Sequence, residues 1–283
     1  MKVVVIGAAG LTGAAVASAL VRLGHDVVGT SRRAAAMSLI AETGAAPAVV
    51  SLEDPQELGT LLRSADALVH VSGILSAQQL VAAGIAHLLR VIVISTAGIY
   101  SRTQSHRSAY LRNEEAIRRA APNALFVRPT MIYGSPRDRN VHRVIAFASR
   151  WHVLPLPDGG KARIQPIHYQ DLALATATLF ETDAVGVVDA GGPTPVTTRS
   201  AALAIFAAMR HAALLVPVPV WILLPPVRLI DLVAPSRWSE RIVRATEDRM
   251  VDNARLLALT SARLRSFEEG VTEEVALMRA EPG

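Results

Sequence analysis

Along the chain, short apolar runs alternate with longer stretches in which apolar residues recur every three or four positions. The runs Lys2–Ile6, Asp26–Thr30, Pro47–Ser51, Ala67–Val71, Val91–Ser95, Leu125–Arg128 and Val185–Asp189 have the length of buried strands, and most are rich in branched apolar residues. Helical periodicity lies between them, over Thr12–Leu23, Ala34–Glu42, Pro55–Arg63, Ala77–Leu89, Arg107–Ala120 and Tyr169–Phe180. This alternation predicts an α/β fold, a Rossmann-type doubly wound parallel sheet with ligands at the carboxyl ends of its strands. After about residue 134 the pattern changes. Gly134–Arg163 and Pro193–Gly283 are richer in Pro and Arg and read as insertions that build a small C-terminal substrate lobe over the cleft. Residues 270–283 read as a short final helix and a loose end.

The first strand opens directly onto Gly7-Ala8-Ala9-Gly10-Leu11-Thr12-Gly13. Gly7 permits a tight turn out of the strand, Gly10 lets the backbone approach a diphosphate, and Gly13 lets helix and strand pack closely. The helix that follows offers free N–H groups and the positive end of its dipole to phosphate. Gly7, Ala9, Gly10, Leu11, Thr12 and Gly13 are therefore expected to hold a dinucleotide, in an NAD(P)-binding Rossmann domain over 1–190 that carries the insertion near 134–165, with the small lobe over 191–283.

An NAD site places an acidic residue about 20 residues past the glycine loop, on the ribose hydroxyls. Here Thr30 stands there, followed by Ser31, Arg32 and Arg33. A small hydroxyl with two guanidinium groups would attract a 2′-phosphate, which favours NADP(H) over NAD(H). The bland alternative is that Arg32 and Arg33 start the next helix in solvent. Ser51 and Leu52, after the third strand, are expected at the adenine, and Val71, Ser72 and Gly73, after the fourth, beneath the cofactor.

Composition narrows the chemistry. The 283 residues include no cysteine, which excludes disulfides, thiolate metal sites and cysteine nucleophiles. His142, His152 and His168 lack zinc spacing, so no metal is expected. The net charge of +5 comes almost entirely from dispersed arginines without a nucleic-acid motif, which suits anionic small ligands and a solvated surface. The chain starts with a core strand and not a charged and then apolar leader, so the cytoplasm is the expected location. Ala212–Val227 is the most apolar stretch; it holds Pro217, Pro219, Pro225 and Pro226 and is shorter than the ~20 residues of a membrane span. No stable membrane insertion is expected, and the stretch reads as core or as the apolar lip of a pocket.

The glycine loop, Val91–Ser95 leading into Thr96-Ala97-Gly98-Ile99-Tyr100, and Val127-Arg128-Pro129-Thr130-Met131-Ile132-Tyr133-Gly134 resemble the extended short-chain dehydrogenase/reductase superfamily. The similarity is greatest to its NAD-dependent epimerase/dehydratase branch, which acts on nucleoside-diphosphate sugars. Pro136–Asn140, Leu154–Gly160, Ile164–Ala173, Ala190–Pro193 and Ser266–Gly270 extend it over nearly the whole chain. The resemblance implies NAD(P)-dependent oxidoreductase or isomerase chemistry on a nucleotide sugar or a small carbonyl or hydroxyl substrate, in a monomer or a homodimer. It places Pro129, Thr130 and Met131 at the cofactor. Arg137, Asn140 and His168 are candidate substrate contacts. Arg137, with Arg139 and Arg143, would clamp a diphosphate or carboxylate, or start a helix in solvent with Asp138 as its cap. His168 has the competing reading of a buried hydrogen bonder between lobes.

Catalysis in this superfamily uses a Ser or Thr with the Tyr and Lys of YxxxK. Thr96 holds the Ser/Thr place, with a turn-capping hydroxyl as its alternative. Tyr110 is followed four residues later by Glu114 instead of lysine. Laid on the longer frame YxxxKxxxE, Glu114 becomes the terminal glutamate, Tyr110 takes the lysine place and His106 the tyrosine place. A tyrosine without a neighbouring cation ionises near pH 10, leaving about one in a thousand as the base at neutral pH. Arg107, three residues before Tyr110 and on the same helical face, could supply that cation. The competing expectation is a catalytically silent NAD(P)-binding sensor or an accessory or assembly protein.

Overall fold

The computed structural model describes residues 1–102, 105–138, 140–233 and 238–280. Seven strands form one parallel sheet: β1 (Lys2–Ile6), β2 (Asp26–Ser31), β3 (Ala46–Val49), β4 (Ala67–His70), β5 (Arg90–Ile94), β6 (Leu125–Pro129) and, after four short strands, β11 (Gly186–Ala190). Their spatial order is β11-β6-β5-β4-β1-β2-β3. The order reverses between β1 and β4, and this is where a doubly wound sheet opens a crevice for ligand.

Alternation along each strand feeds two cores. Val3 and Val5 face α1 (Leu11–Arg22) and α7 (Tyr169–Phe180), joining Val16, Leu20, Leu172 and Leu179. Val4 and Ile6 face the other way, onto Leu58 and Leu62 of α3 (Pro55–Arg63), Leu80 of α4 (Ala77–Ala83) and Ile117 of α5 (Arg107–Ala120). Both faces are covered, so the strands read as continuous apolar runs.

A third core joins Tyr133 of β7 (Ile132–Tyr133), Ile145 of α6 (Val141–Trp151), Phe206 of α8 (Thr198–Met209), and Phe267 and Val271 of α12 (Phe267–Ala280). Around it lie the short strands β8 (Val153–Pro157), β9 (Arg163–Ile164), β10 (Ile167–His168), β12 (Val196–Thr197) and β13 (Leu214–Val218). The remaining helices are α2 (Met37–Ala41), α9 (Val220–Val233), α10 (Trp238–Ala245) and α11 (Ala254–Thr260).

The structure departs from the sequence pattern at three places. The helix expected over Ala77–Leu89 stops at Ala83, because Gly84 adopts φ +82° and closes it with a left-handed cap. Ala34–Glu42 splits into a 3-10 turn, Ala34–Ala36, and the short α2. Ala212–Val227 contributes no buried residue to a core: it becomes β13, whose half-buried Leu215 packs against the third core, and the first half of α9, which contains no buried residue. Its prolines lack amide donors for a central strand, and α9 has α10 as its main neighbour. The final helix begins at Phe267, and the loose end expected after it, 281–283, lies outside the described residues.

Candidate active site

The glycine loop forms the floor of the crevice. Gly7 has φ +88°, and a Cβ on it would meet the Ser72 amide nitrogen at 3.0 Å, so the loops after β1 and β4 touch. Gly13 packs still closer: a Cβ there would lie 2.1 Å from the Gly7 carbonyl oxygen. A Cβ on Gly10 would meet nothing nearer than that oxygen, at 3.2 Å, which leaves its outer side open. Leu11, Thr12 and Gly13 make the first turn of α1, whose amides have no acceptor within the helix. Ser31 and Ser51 lie beside each other at the β2/β3 end, where the Val50 amide donates to the Ser31 carbonyl at 3.1 Å. Thr30 is buried in β2, while Arg32 and Arg33 are exposed.

Past the ends of β5 and β6 lies a cavity of about 370 Å³. It is lined by Thr96, Tyr100 and Ser101, by Pro129, Thr130, Met131 and Asn140, and by Arg244 and Arg249. Thr96 caps the turn Ala97–Tyr100: its Oγ1 accepts from the Gly98 amide at 3.0 Å. That capping role and a place on the cavity wall are compatible, since the hydroxyl can still donate its own proton. The Tyr100 hydroxyl accepts from Arg128 Nη1 at 2.7 Å and donates to the Asp189 carboxylate at 2.9 Å. Burial, opposed by the Arg128 hydrogen bond, raises its pKa, so it stays protonated at neutral pH. In the same lining, the Nε atoms of Arg244 and Arg249 are buried without a hydrogen bond among the described residues. Burial, and then the Arg244 charge, lowers the Arg249 pKa against the opposing Glu247 carboxylate.

Beneath the cavity, α5 carries a buried ion pair. Glu114 is 1% exposed and accepts from Arg128 Nη2 at 2.5 Å and Ser95 Oγ at 2.5 Å. Burial works against the Arg128 cation, but the Glu114 carboxylate outweighs it and the guanidinium pKa is raised. Tyr110 lies half-buried against the core of that face, with its ring beside Gly98, and its ring centroid is 6.2 Å from that of His106. Neither lines the cavity. Arg107, the expected source of charge for Tyr110, instead donates through Nε to the Ile99 carbonyl at 2.7 Å.

The other candidates separate. Asn140 lines the cavity and donates to the Ile132 carbonyl at 2.9 Å. Arg137 leans over the glycine loop, its Nη2 3.3 Å from the Ala9 carbonyl, and Arg143 is exposed. Arg139 lies outside the described residues. Asp138 holds the start of α6, accepting from the Asn140 amide at 2.7 Å and the His142 amide at 3.2 Å. His168 is buried away from the cavity, with Nδ1 against Arg265 at 2.8 Å; burial and that cation lower its pKa to about 4. Sequence reasoning missed Tyr100, Arg244 and Arg249 as site residues. Tyr100 stood inside a quoted motif, whereas nothing near Arg244 or Arg249 marks them in the sequence.

Residues 3–124 match the family described as the saccharopine dehydrogenase NADP binding domain. Among curated proteins, the ceramide reductase of Caulobacter vibrioides is 30% identical over 153 residues, which is 49% of this chain and 48% of that protein. The mitochondrial NADH dehydrogenase (ubiquinone) 1 alpha subcomplex subunit 9 of Arabidopsis thaliana is 29% identical over 119 residues, 41% of this chain and 29% of that one. The chain thus spans about half the length of the first and under a third of the second. Solved structures match nearly end to end. The UDP-glucuronic acid 4-epimerase of Bacillus cereus in complex with NAD gives a TM-score of 0.78 at 17% identity, covering 99% of both chains. The UDP-glucose 4-epimerase of Thermus thermophilus, also with NAD, gives 0.74 at 18%, again covering 99% of both.

The fold is that of the extended short-chain dehydrogenase/reductases, in its epimerase/dehydratase form.

The expected preference for NADP(H) does not stand, because the extended short-chain structures that match the whole chain and are described with a nucleotide hold NAD. The family that names NADP matches residues 3–124, less than half of the chain. The physical reason lies at the end of β2. Thr30 is buried in the sheet, and Arg32 and Arg33 extend into solvent at the start of the following turn, as the bland alternative had it.

Proposed function

We propose that the chain binds NAD(H) along the crevice from the glycine loop to Pro129–Met131, and that it is an oxidoreductase or isomerase whose substrate occupies the adjoining cavity. The observation that carries this is the cavity's polarity: the hydroxyl-bearing Thr96 and Tyr100 line it together with Arg244 and Arg249, whose Nε atoms are buried without a hydrogen bond among the described residues. Such a site suits an anionic carbonyl or alcohol, and a nucleoside-diphosphate sugar, the kind of molecule the Bacillus cereus enzyme is named for, fits that description.

Bound NAD(H) would supply hydride exchange with the substrate carbon. Thr96 would hydrogen-bond the substrate oxygen through its hydroxyl while the Gly98 amide holds its lone pair. Tyr100, protonated and held between Arg128 and Asp189, would pass its one proton to that oxygen as a carbonyl is reduced and take it back as an alcohol is oxidised, or recover it from solvent, with the Arg128 cation beside the tyrosinate in between. Arg244 and Arg249 would anchor the substrate's anionic part and lose their own desolvation cost in doing so. The pair that Glu114 makes with Arg128 supports the longer frame, in which Tyr110 takes the lysine place.

The test follows the nicotinamide fluorescence of bound NADH during addition of nucleotide-sugar and simple carbonyl substrates. Turnover is expected. Thr96→Val and Tyr100→Phe should each lower kcat by about ten- to a hundredfold, whereas Arg249→Met should raise KM for anionic substrates with little change in kcat. A second reading, a silent NAD(H)-binding subunit, draws on the absent lysine and on the partial similarity to an NADH dehydrogenase subunit. Tight NADH binding without turnover across the whole panel would favour it and contradict the enzyme.

A further inference from the structure

α9 is the anomaly of the surface. Apart from Arg228 and Asp231 its residues are apolar all round, yet none of its fourteen is buried. A helix of that composition is normally enclosed. Val220, Leu223, Leu224, Val227 and Asp231 are half-buried and repeat at helical spacing, so one face turns toward the protein. The opposite face carries Trp221, Leu232 and Val233, exposed by 75%, 81% and 85%, together with Ile222, Leu229 and Ile230. Leu214 and Val216 of β13 extend the exposed apolar surface upstream. Contiguous surface of this kind marks a docking site.

The charges around it select the occupant. From Ala212 to Ile230 the single charged residue is Arg228, which is exposed, and Arg241 on α10 is exposed as well. Of the four carboxylates of 220–250, Asp231, Glu240 and Glu247 are half-buried and Asp248 is exposed, and each is held by donors of this chain. Asp231 accepts from the Ser239 amide and hydroxyl, and Glu240 from the Ser105 amide. Glu247 accepts from the Ser101 hydroxyl and the Arg102 amide, and Asp248 pairs with Arg163. What α9 itself turns outward is apolar, with the single cation Arg228. A second copy would bring like charge to like charge, whereas a bilayer with anionic headgroups complements both properties. No helix among the described residues is long and apolar enough to cross a membrane, so the contact is peripheral.

We propose that α9 and β13 dock this protein on an anionic lipid surface, with Trp221, Leu229, Leu232 and Val233 entering the headgroup boundary and Arg228 pairing with lipid phosphate. α10 packs on α9 and carries Arg244 into the cavity wall, so the docking surface and the cavity share an element. Docking of the exposed helix stands whatever reaction the cavity performs.

Co-sedimentation with vesicles of phosphatidylcholine alone, or mixed with phosphatidylglycerol, tests it. The full chain should sediment with the mixed vesicles and far less with the neutral ones. The double substitution Trp221→Asp, Leu232→Asp should weaken that partition by about tenfold or more, and Arg228→Glu should reduce the preference for anionic lipid. Both should leave the far-ultraviolet circular dichroism and NADH binding unchanged, since these side chains are exposed. No sedimentation with either vesicle, or equal sedimentation of wild type and double variant, would overturn the proposal. So would a concentration-dependent dimer that the double variant abolishes, because the face would then be an interface between copies.

Discussion

Glu274 sits on α12 with 0% exposure; its Oε2 accepts from the Gly134 amide at 3.1 Å and its Oε1 has no hydrogen bond among the described residues. Burial and the nearby Asp138 carboxyl push its pKa up to about 8, from an ordinary 4.5. The folded state therefore keeps this proton over a range where the unfolded chain has lost it. The resulting stability is present in full below about 4.5 and is lost as the pH rises through about 8. Glu274→Gln, which fixes the neutral form, should leave the melting temperature nearly unchanged at about pH 5 and gain roughly 1–3 kcal/mol near pH 9. An equal effect at both values, read from thermal unfolding, would show that the carboxyl does not titrate in this way. None of this was legible in the sequence. Glu274 is one of several acidic residues on a polar-looking helix, and its burial depends on the Gly134 turn that approaches from 140 residues away.

At the scale of elements, the sequence pattern succeeded where both faces of the sheet are covered. The register of β1 with β2 and β4 buries an unbroken apolar run, and Pro55–Arg63 is marked at its start by Asp54, which accepts from the Gln56 and Glu57 amides at 3.0 Å. Helix α5 shows the limit. Its boundaries were readable, but its chemistry depends on Glu114 meeting Arg128 and Ser95 from two different strand ends, and composition does not encode that meeting. Removing one partner of a buried pair strands the other charge. Glu114→Ala should therefore destabilise the fold by about 3 kcal/mol, and the double change with Arg128→Met should cost less than the sum of the single ones. Additive losses in denaturant unfolding would mean the two do not act as a pair. The stretch Ala212–Val227 failed for a related reason: hydrophobicity alone does not say whether an apolar segment finds a partner within its own chain, and α9 finds little beyond α10.

For the whole molecule, the crevice and the cavity differ in how visible they were. The crevice is assembled from the ends of consecutive strands, so each contributing loop follows a recognisable apolar run. The cavity draws on Thr96–Ser101, Pro129–Ile132, Asn140, Ile164–Gln165 and Arg244–Met250, far apart in sequence and joined by packing of the third core against the sheet. The arginines at 244 and 249 acquire meaning through that packing, which leaves their Nε atoms buried without hydrogen bonds on the cavity's wall. The proposed function depends on the crevice holding NAD(H) while Arg32 and Arg33 stay in solvent. Titration of the purified chain with NADH and, separately, NADPH, followed by nicotinamide fluorescence, addresses this most directly. Saturable binding of NADH, tighter than that of NADPH, is the expected result; binding of neither, or tighter binding of NADPH, would contradict it.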